Sequence, residues 1–116
     1  MKNSIILLYG WGPEEETRAE TLFYIAKTSK MIDIDTHIFL FIDGVLLAKK
    51  GVARMISEKV DNALKEALKL GIKIYACEAA VKSKGLKKED LVDGVSIIGY
   101  ASFLDLALKA NSVITL

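Results

Sequence analysis

The chain has 116 residues, 52% of them hydrophobic, and its 16 basic and 15 acidic side chains leave a net charge of +1. That length fits a single domain over residues 1–116, large enough to bury a core without disulfide or metal staples. The near-neutral balance gives no electrostatic reason to expect nucleic acid or an anionic membrane as partner.

One cysteine forms no internal disulfide, so nothing suggests a secreted framework. The apolar run Ile5 to Tyr9 is too short for a signal peptide and ends at Gly10-Trp11-Gly12-Pro13. No run approaches the roughly 18 apolar residues of a membrane span. The expected location is the cytoplasm. The hydrophobic share exceeds the roughly 45–50% of an ordinary soluble chain. Such an excess suits a sheet covered on both faces, or a protomer that buries further surface in an oligomer.

Ser4 to Tyr9 is an uninterrupted apolar run bounded by glycine, which predicts a strand buried on both faces. A turn at Gly10-Trp11-Gly12 follows. Pro13 then suits the first position of a helix, with Glu14, Glu15 and Glu16 in its first turn. Ala19, Leu22, Phe23 and Ala26 fall on one face of that helix, which is expected to end near Met31. Asp35 to Asp43 carries the most apolar strand candidate, Ile38 to Ile42. Asp43-Gly44 resembles a hairpin signal, but the residues after it do not alternate, so a loop with helical character is expected. Helical period returns at Val60, Ala63, Leu64 and Ala67 and stops at Gly71.

Ile72 to Ala76 predicts a third strand, and Cys77 to Lys84 a short helix closed by Gly85. Leu86 to Val92 reads as a polar connector and Val95 to Ile98 as a fourth strand. Ser102 to Asp105 has capping-box spacing ahead of a stripe at Phe103, Leu106, Ala107 and Ala110. Ser112 to Leu116 predicts a last strand. Strands alternating with helices define an α/β protein with a parallel sheet, helices on both faces and right-handed crossovers. Ligands and chemistry gather at the carboxyl edge of such sheets. That edge should carry Gly10, Trp11 and Gly12, then Asp43 and Gly44, then Cys77, and finally Gly99 to Ser102, with Tyr100 among them.

Cys77 is the chemical clue. A thiol where a strand hands over to a helix can be held as thiolate by backbone N–H groups and the helix dipole. The bland alternative is a small buried hydrophobe, and the adjacent Glu78 carboxylate disfavours the thiolate. His37, the only histidine, lies at the start of its strand, about 20 Å from the site edge at roughly 3.3 Å per residue. A Cys–His hydrolase pair is therefore not expected, and His37 reads as a solvated strand-end residue. Gly10-Trp11-Gly12 is an incomplete phosphate turn followed by three glutamates of the wrong sign. One Cys and one His give no metal site, and a C-x-x-C dithiol is absent. No cofactor is expected. A lone thiol must exchange with a second molecule. Lys82-Ser83-Lys84 and Lys87-Lys88 form a basic run, read as a solvated face with docking to an acidic partner as the alternative.

Phe39-Leu40-Phe41-Ile42-Asp43-Gly44-Val45 followed by Lys49-Lys50-Gly51 resembles the second-strand pattern of DsrE/DsrF-like sulfur-relay proteins. Ile72 to Cys77 with Lys84-Gly85-Leu86 is similar to the segment bearing their persulfide cysteine. Leu91-Val92-Asp93-Gly94-Val95 and Ala110 to Thr115 resemble the family's tail. The resemblance implies a three-layer α/β/α domain with a five-stranded parallel sheet (flavodoxin-like, DsrEFH-like), assembled as a homotrimer or homohexamer. It implies that Cys77 receives sulfane sulfur as a persulfide and passes it to a partner thiol, a sulfurtransferase-like carrier rather than a turnover enzyme. Donor and acceptor proteins, TusA-like or related thiol carriers, would be its partners. The alternative from the residues alone is a non-catalytic oligomeric binding module, with a pocket lined by Gly10, Trp11, Gly12, Asp43, Gly44 and Tyr100 and with Cys77 only as lining.

Overall fold

The computed structural model describes residues 2–116, and the statements below concern those residues. In chain order the elements are β1 (Ser4–Tyr9), α1 (Glu16–Met31), β2 (Asp35–Leu40), α2 (Val52–Ile56), α3 (Glu58–Lys69), β3 (Lys73–Cys77), α4 (Glu78–Ser83), β4 (Val95–Ile98), α5 (Tyr100–Lys109) and β5 (Ser112–Thr115). Short 3-10 segments at Ile42–Ala48 and Lys88–Asp90 lie in the β2–α2 and α4–β4 connections. The strands form one parallel sheet in the order β4-β3-β2-β1-β5. The α/β class and the five-stranded parallel sheet expected from the sequence are both present.

The strand order decides how the two faces are covered. From β1 to β4 the chain steps in one direction, then crosses the whole sheet back to β5. Right-handed crossovers therefore set α1, the α2–α3 pair and α4 on one face and leave α5 alone on the other. Side chains on each face agree. The Ser29 and Thr36 hydroxyls of α1 and β2 bond at 2.7 Å. On the opposite face the Phe103 ring of α5 stacks on Phe39 with centroids 4.4 Å apart. Alternation along a strand then places Asp35, His37 and Phe39 on the α5 face. Phe39 pairs with Tyr75, so Tyr75 and Cys77 share that face.

Burial follows this asymmetry. Beneath the face opposite α5, Leu7, Leu22, Ala26, Ile38 and Val60 are fully buried. No residue of α5 is buried, although Phe103, Leu106, Ala107 and Ala110 pack inward against the core. On its outer side Leu104 is 57% and Leu108 87% exposed. A helix that is apolar on both sides is ordinarily covered on both.

Three local expectations change. Pro13 does not start α1, because the Glu15 N–H bonds the Gly12 carbonyl at 3.1 Å and the helix opens only at Glu16. Ser102 does not cap α5, which begins two residues earlier with Gly99 at its cap. His37 is not solvated: it is buried, with Nε2 3.0 Å from Asp35 and Nδ1 3.1 Å from the Tyr75 hydroxyl. The His37 and Tyr75 rings stack 5.8 Å apart. Burial pushes the Asp35 carboxyl up, but the His37 hydrogen bond and charge, with Lys73 and Lys2, outweigh it and hold the group below its usual value.

Candidate functional site

Cys77 ends β3 and caps α4, with extended backbone at φ −64° and ψ 123°. The chain turns here because β3's apolar alternation stops and the alanine-rich Glu78–Ser83 run, a strong helix former, begins. Across the β3–β4 ladder Cys77 pairs with Ile98, which places Gly99 and Tyr100 just beyond it at the same edge. The Cys77 residue is fully buried. At the same edge Ile42, Asp43, Ala79, Ala80, Ser83, Lys84 and Tyr100 line a depression of about 260 Å³, and Cys77 is not among its lining residues.

Each wall has a local cause. Ile42 adopts φ +53°, a left-handed conformation that a β-branched residue rarely takes. That kink ends β2 and turns the chain into the 3-10 segment, with Asp43 on the rim. Gly44 comes next and lies so close to β1 that a Cβ there would stand 2.2 Å from the Tyr9 carbonyl oxygen. The Lys84 ammonium donates to the Asp43 carboxylate and so joins the end of α4 to the start of the 3-10 segment. Lys49-Lys50-Gly51 is tied to the α4–β4 connection: Lys50 N–H bonds the Asp90 carbonyl at 2.9 Å and Val92 N–H the Ala48 carbonyl at 2.8 Å.

The neighbouring Cys77 thiol, and then burial, hold the Tyr100 phenol above its usual pKa. The Glu78 carboxylate lies toward the β4–α5 turn, 3.8 Å from where a Gly99 Cβ would stand.

At this edge Asp43 and Tyr100 line one depression, without Cys77, and Gly44 is buried. Gly10, Trp11 and Gly12 do not line this depression, because β1 is separated from β3 by β2. Trp11 turns the other way: its indole N–H donates to the Leu116 carbonyl at 2.8 Å, and the Arg18 guanidinium sits 4.0 Å above the ring. Gly10 packs under the Phe41 ring. Ile42, Ala79, Ala80, Ser83 and Lys84 are the lining residues that motif reading misses. Lys84 stands in the basic run and in the Lys84-Gly85-Leu86 segment of the sequence, and it caps the end of the six-residue α4. Among the described residues no group of three or more His, Cys, Asp or Glu side chains could hold a metal ion.

Fold and edge together define a parallel α/β protein with one thiol where a central strand meets a helix. The chain belongs to the DsrE/DsrF-like family, whose profile matches residues 3–116. An uncharacterised protein of Methanocaldococcus jannaschii is 26% identical over 94% of this chain, which spans only 41% of that relative's length. A second from the same organism is 29% identical, covering 99% of both chains. Among solved structures, the YchN protein of E. coli superposes with TM-score 0.74 at 20% identity over the full length of both chains. A protein of unknown function from Methanobacterium thermoautotrophicum superposes with TM-score 0.77 at 16% identity, again over both full lengths. These likenesses carry the fold. No helix among the described residues is long and apolar enough to cross a membrane.

Proposed function

We propose that the protein is a sulfur carrier, with Cys77 as the atom of attachment. The observation that carries this reading is the position of the chain's only thiol, at the carboxyl end of an inner strand of a parallel sheet. Membership of the DsrE/DsrF-like family supports the same role. The Cys77 thiolate attacks the outer sulfur of a donor persulfide, R–S–SH. The new bond is Cys77 Sγ–S, the donor's S–S bond breaks, and R–S⁻ leaves with the electron pair. The product is Cys77–S–SH, with no net oxidation. Attack by an acceptor thiolate on the outer sulfur repeats the exchange and restores Cys77. Incubation with a persulfide donor should add about 32 Da, one sulfur, removable by reductant. Cys77→Ser should add none; equal uptake by that variant ends this reading.

The carrier acts as a homo-oligomer in this proposal, with the outer stripe of α5 as a contact between copies. Leu104 and Leu108 on that stripe are the support. Sedimentation of the wild type should give a mass of two or more chains. Leu104→Lys with Leu108→Lys should shift it to one chain, and an unchanged mass would remove α5 from the contact.

One observation favours a second reading, a binding module in which Cys77 is only lining: the thiol is fully buried. A carrier must expose that sulfur during its cycle, whereas a module need not. Sulfur uptake separates the two.

A further inference from the structure

We infer that Lys49, Lys50, Lys87 and Lys88 form one docking surface for a protein partner whose contact face carries carboxylates. The inference rests on Cys77 as the sulfur carrier in one respect only, that this partner is then the protein that delivers or takes the sulfur. The two lysine pairs stand far apart in sequence, and the fold brings them together. Lys49 pairs with Leu91 in an isolated antiparallel bridge, and the Lys50 N–H bonds the Asp90 carbonyl at 2.9 Å. Lys50 and Lys88 both line one open depression of about 380 Å³. All four lysines are exposed.

Ion pairing sets these four apart. Eight of the chain's 16 basic side chains form ion pairs with carboxylates. Of the rest, Lys30, Lys69 and Lys82 stand in the last turns of α1, α3 and α4, where a cation meets the negative end of the helix dipole. Lys73 helps to hold the Asp35 carboxyl below its usual value. Lys49, Lys50, Lys87 and Lys88 remain, and none of them forms an ion pair among the described residues. The acids beside them do not neutralise them. The Asp90 carboxylate accepts the Lys87 backbone N–H at 2.8 Å, and Glu89 and Asp93 pair with no lysine. Like charges held at one surface repel, and carboxylates on a partner relieve that repulsion.

The chemistry favours a protein over a polyanion. Glu89 and Asp93 share the depression with Lys50 and Lys88, so a backbone of uniform negative charge meets repulsion there. A protein face of mixed sign can place its carboxylates against the lysines alone. No arginine and no aromatic ring lines that depression, the groups that grip phosphates in pairs and stack on bases. Lysine is a flexible point charge and suits scattered carboxylates. The chain also links this surface to the thiol: α4 starts directly after Cys77 and ends at Ser83, shortly before Lys87. That helix spans only about 9 Å at roughly 1.5 Å per residue.

Fluorescence anisotropy of a labelled peptide of alternating glutamate and serine reads the surface without any sulfur chemistry. At low salt the wild type should bind it, and Lys50→Glu with Lys88→Glu should bind at least roughly tenfold more weakly. Lys30→Glu with Lys69→Glu makes the same change in net charge elsewhere and should stay within about twofold of the wild type. Lys50→Gln with Lys88→Gln removes the charge without reversing it and should still weaken binding by about threefold or more. Added salt should erase these differences, because the Debye length falls from about 10 Å at 0.1 M to about 3 Å at 1 M. Far-UV circular dichroism establishes that each variant is folded. No binding by the wild type, or equal losses in the two charge-reversed variants, overturns the proposal. Tighter binding of oligouridylate than of the peptide, lost on reversing Lys50 and Lys88, overturns it in favour of nucleic acid. Should that reversal release the peptide while the wild type takes up no sulfur, the docking surface stands and the carrier role falls. Should the wild type take up sulfur while both reversed variants keep the peptide, the carrier role stands and the docking surface falls.

Discussion

Gly44→Ala should lower the thermal midpoint by on the order of 10–15 °C, the consequence of about 3 kcal/mol of lost stability. A Cβ at this position would stand 2.2 Å from the Tyr9 carbonyl oxygen, 3.0 Å from the Tyr9 carbonyl carbon and 3.3 Å from Gly10 Cα. All three atoms are backbone, so no side chain can rotate aside. The same Tyr9 oxygen accepts the Phe41 N–H at 3.0 Å, so pushing it away also strains the β1–β2 ladder at its carboxyl end. Asp43 and Ile42 would shift with Gly44, and with them part of the lining of the depression at the carboxyl edge. Gly85→Ala is the matching control. Gly85 has φ +67° and open space around it, so it should lose only the left-handed penalty of about 1–2 kcal/mol. Urea melts of both variants test the contrast, and equal losses would mean that the close approach at Gly44 relaxes freely.

Phe39→Ala should cost about 3–5 kcal/mol, the usual range for emptying a buried aromatic site. Phe39 is 1% exposed and lies at the centre of the sheet, on the face that α5 covers alone. Its ring stacks on Phe103 at 4.4 Å and on Phe41 at 6.2 Å. Phe103 belongs to a helix with no buried residue, so this stack is a principal anchor of α5 to the sheet. Against a net stability of about 5–15 kcal/mol the loss is large. Its local signature should be faster amide exchange in α5 than in α1, whose Leu22 and Ala26 are buried on the opposite face. Uniform exchange across both helices would show that α5 is held by other contacts.

How much of this was legible in the sequence depends on the distance over which each feature is decided. β1 reads correctly from Ser4 to Tyr9 because a strand buried on both faces leaves an unbroken apolar run. The helical character after Asp43 reads correctly from missing alternation. The start of α1 does not, because a turn bonding Glu15 to Gly12 competes with proline's preference for the first helical position. Ser102 has the right spacing for a cap, but β4 ends at Ile98 and the chain turns into α5 before reaching it. The exposure of Leu104 and Leu108 is invisible locally. It follows from the strand order, which sends the three crossovers from β1 to β4 to one face and the single β4–β5 crossover to the other.

The same distinction governs the site. The carboxyl-edge rule points to Asp43, Cys77 and Tyr100, of which Asp43 and Tyr100 line one depression. It points equally to Trp11, because alternation gives the edge without giving the order β4-β3-β2-β1-β5 that puts two strand spacings between β1 and β3. Lys84 reads as one charge in a basic run, and only its ion pair with Asp43 gives it a place on the rim. His37 lies away from Cys77, as strand length implies. Its burial comes from Asp35 and Tyr75, polar partners that no periodicity reveals.

The most direct test of Cys77 as a sulfur carrier is a two-step mass measurement on the wild-type protein. Loading with a persulfide donor and desalting should leave one added sulfur, about 32 Da. Adding an excess of a second protein thiol should return the carrier to its starting mass while the acceptor gains the same increment. A chain that gains no mass, or that gains it equally after Cys77→Ser, would contradict the account.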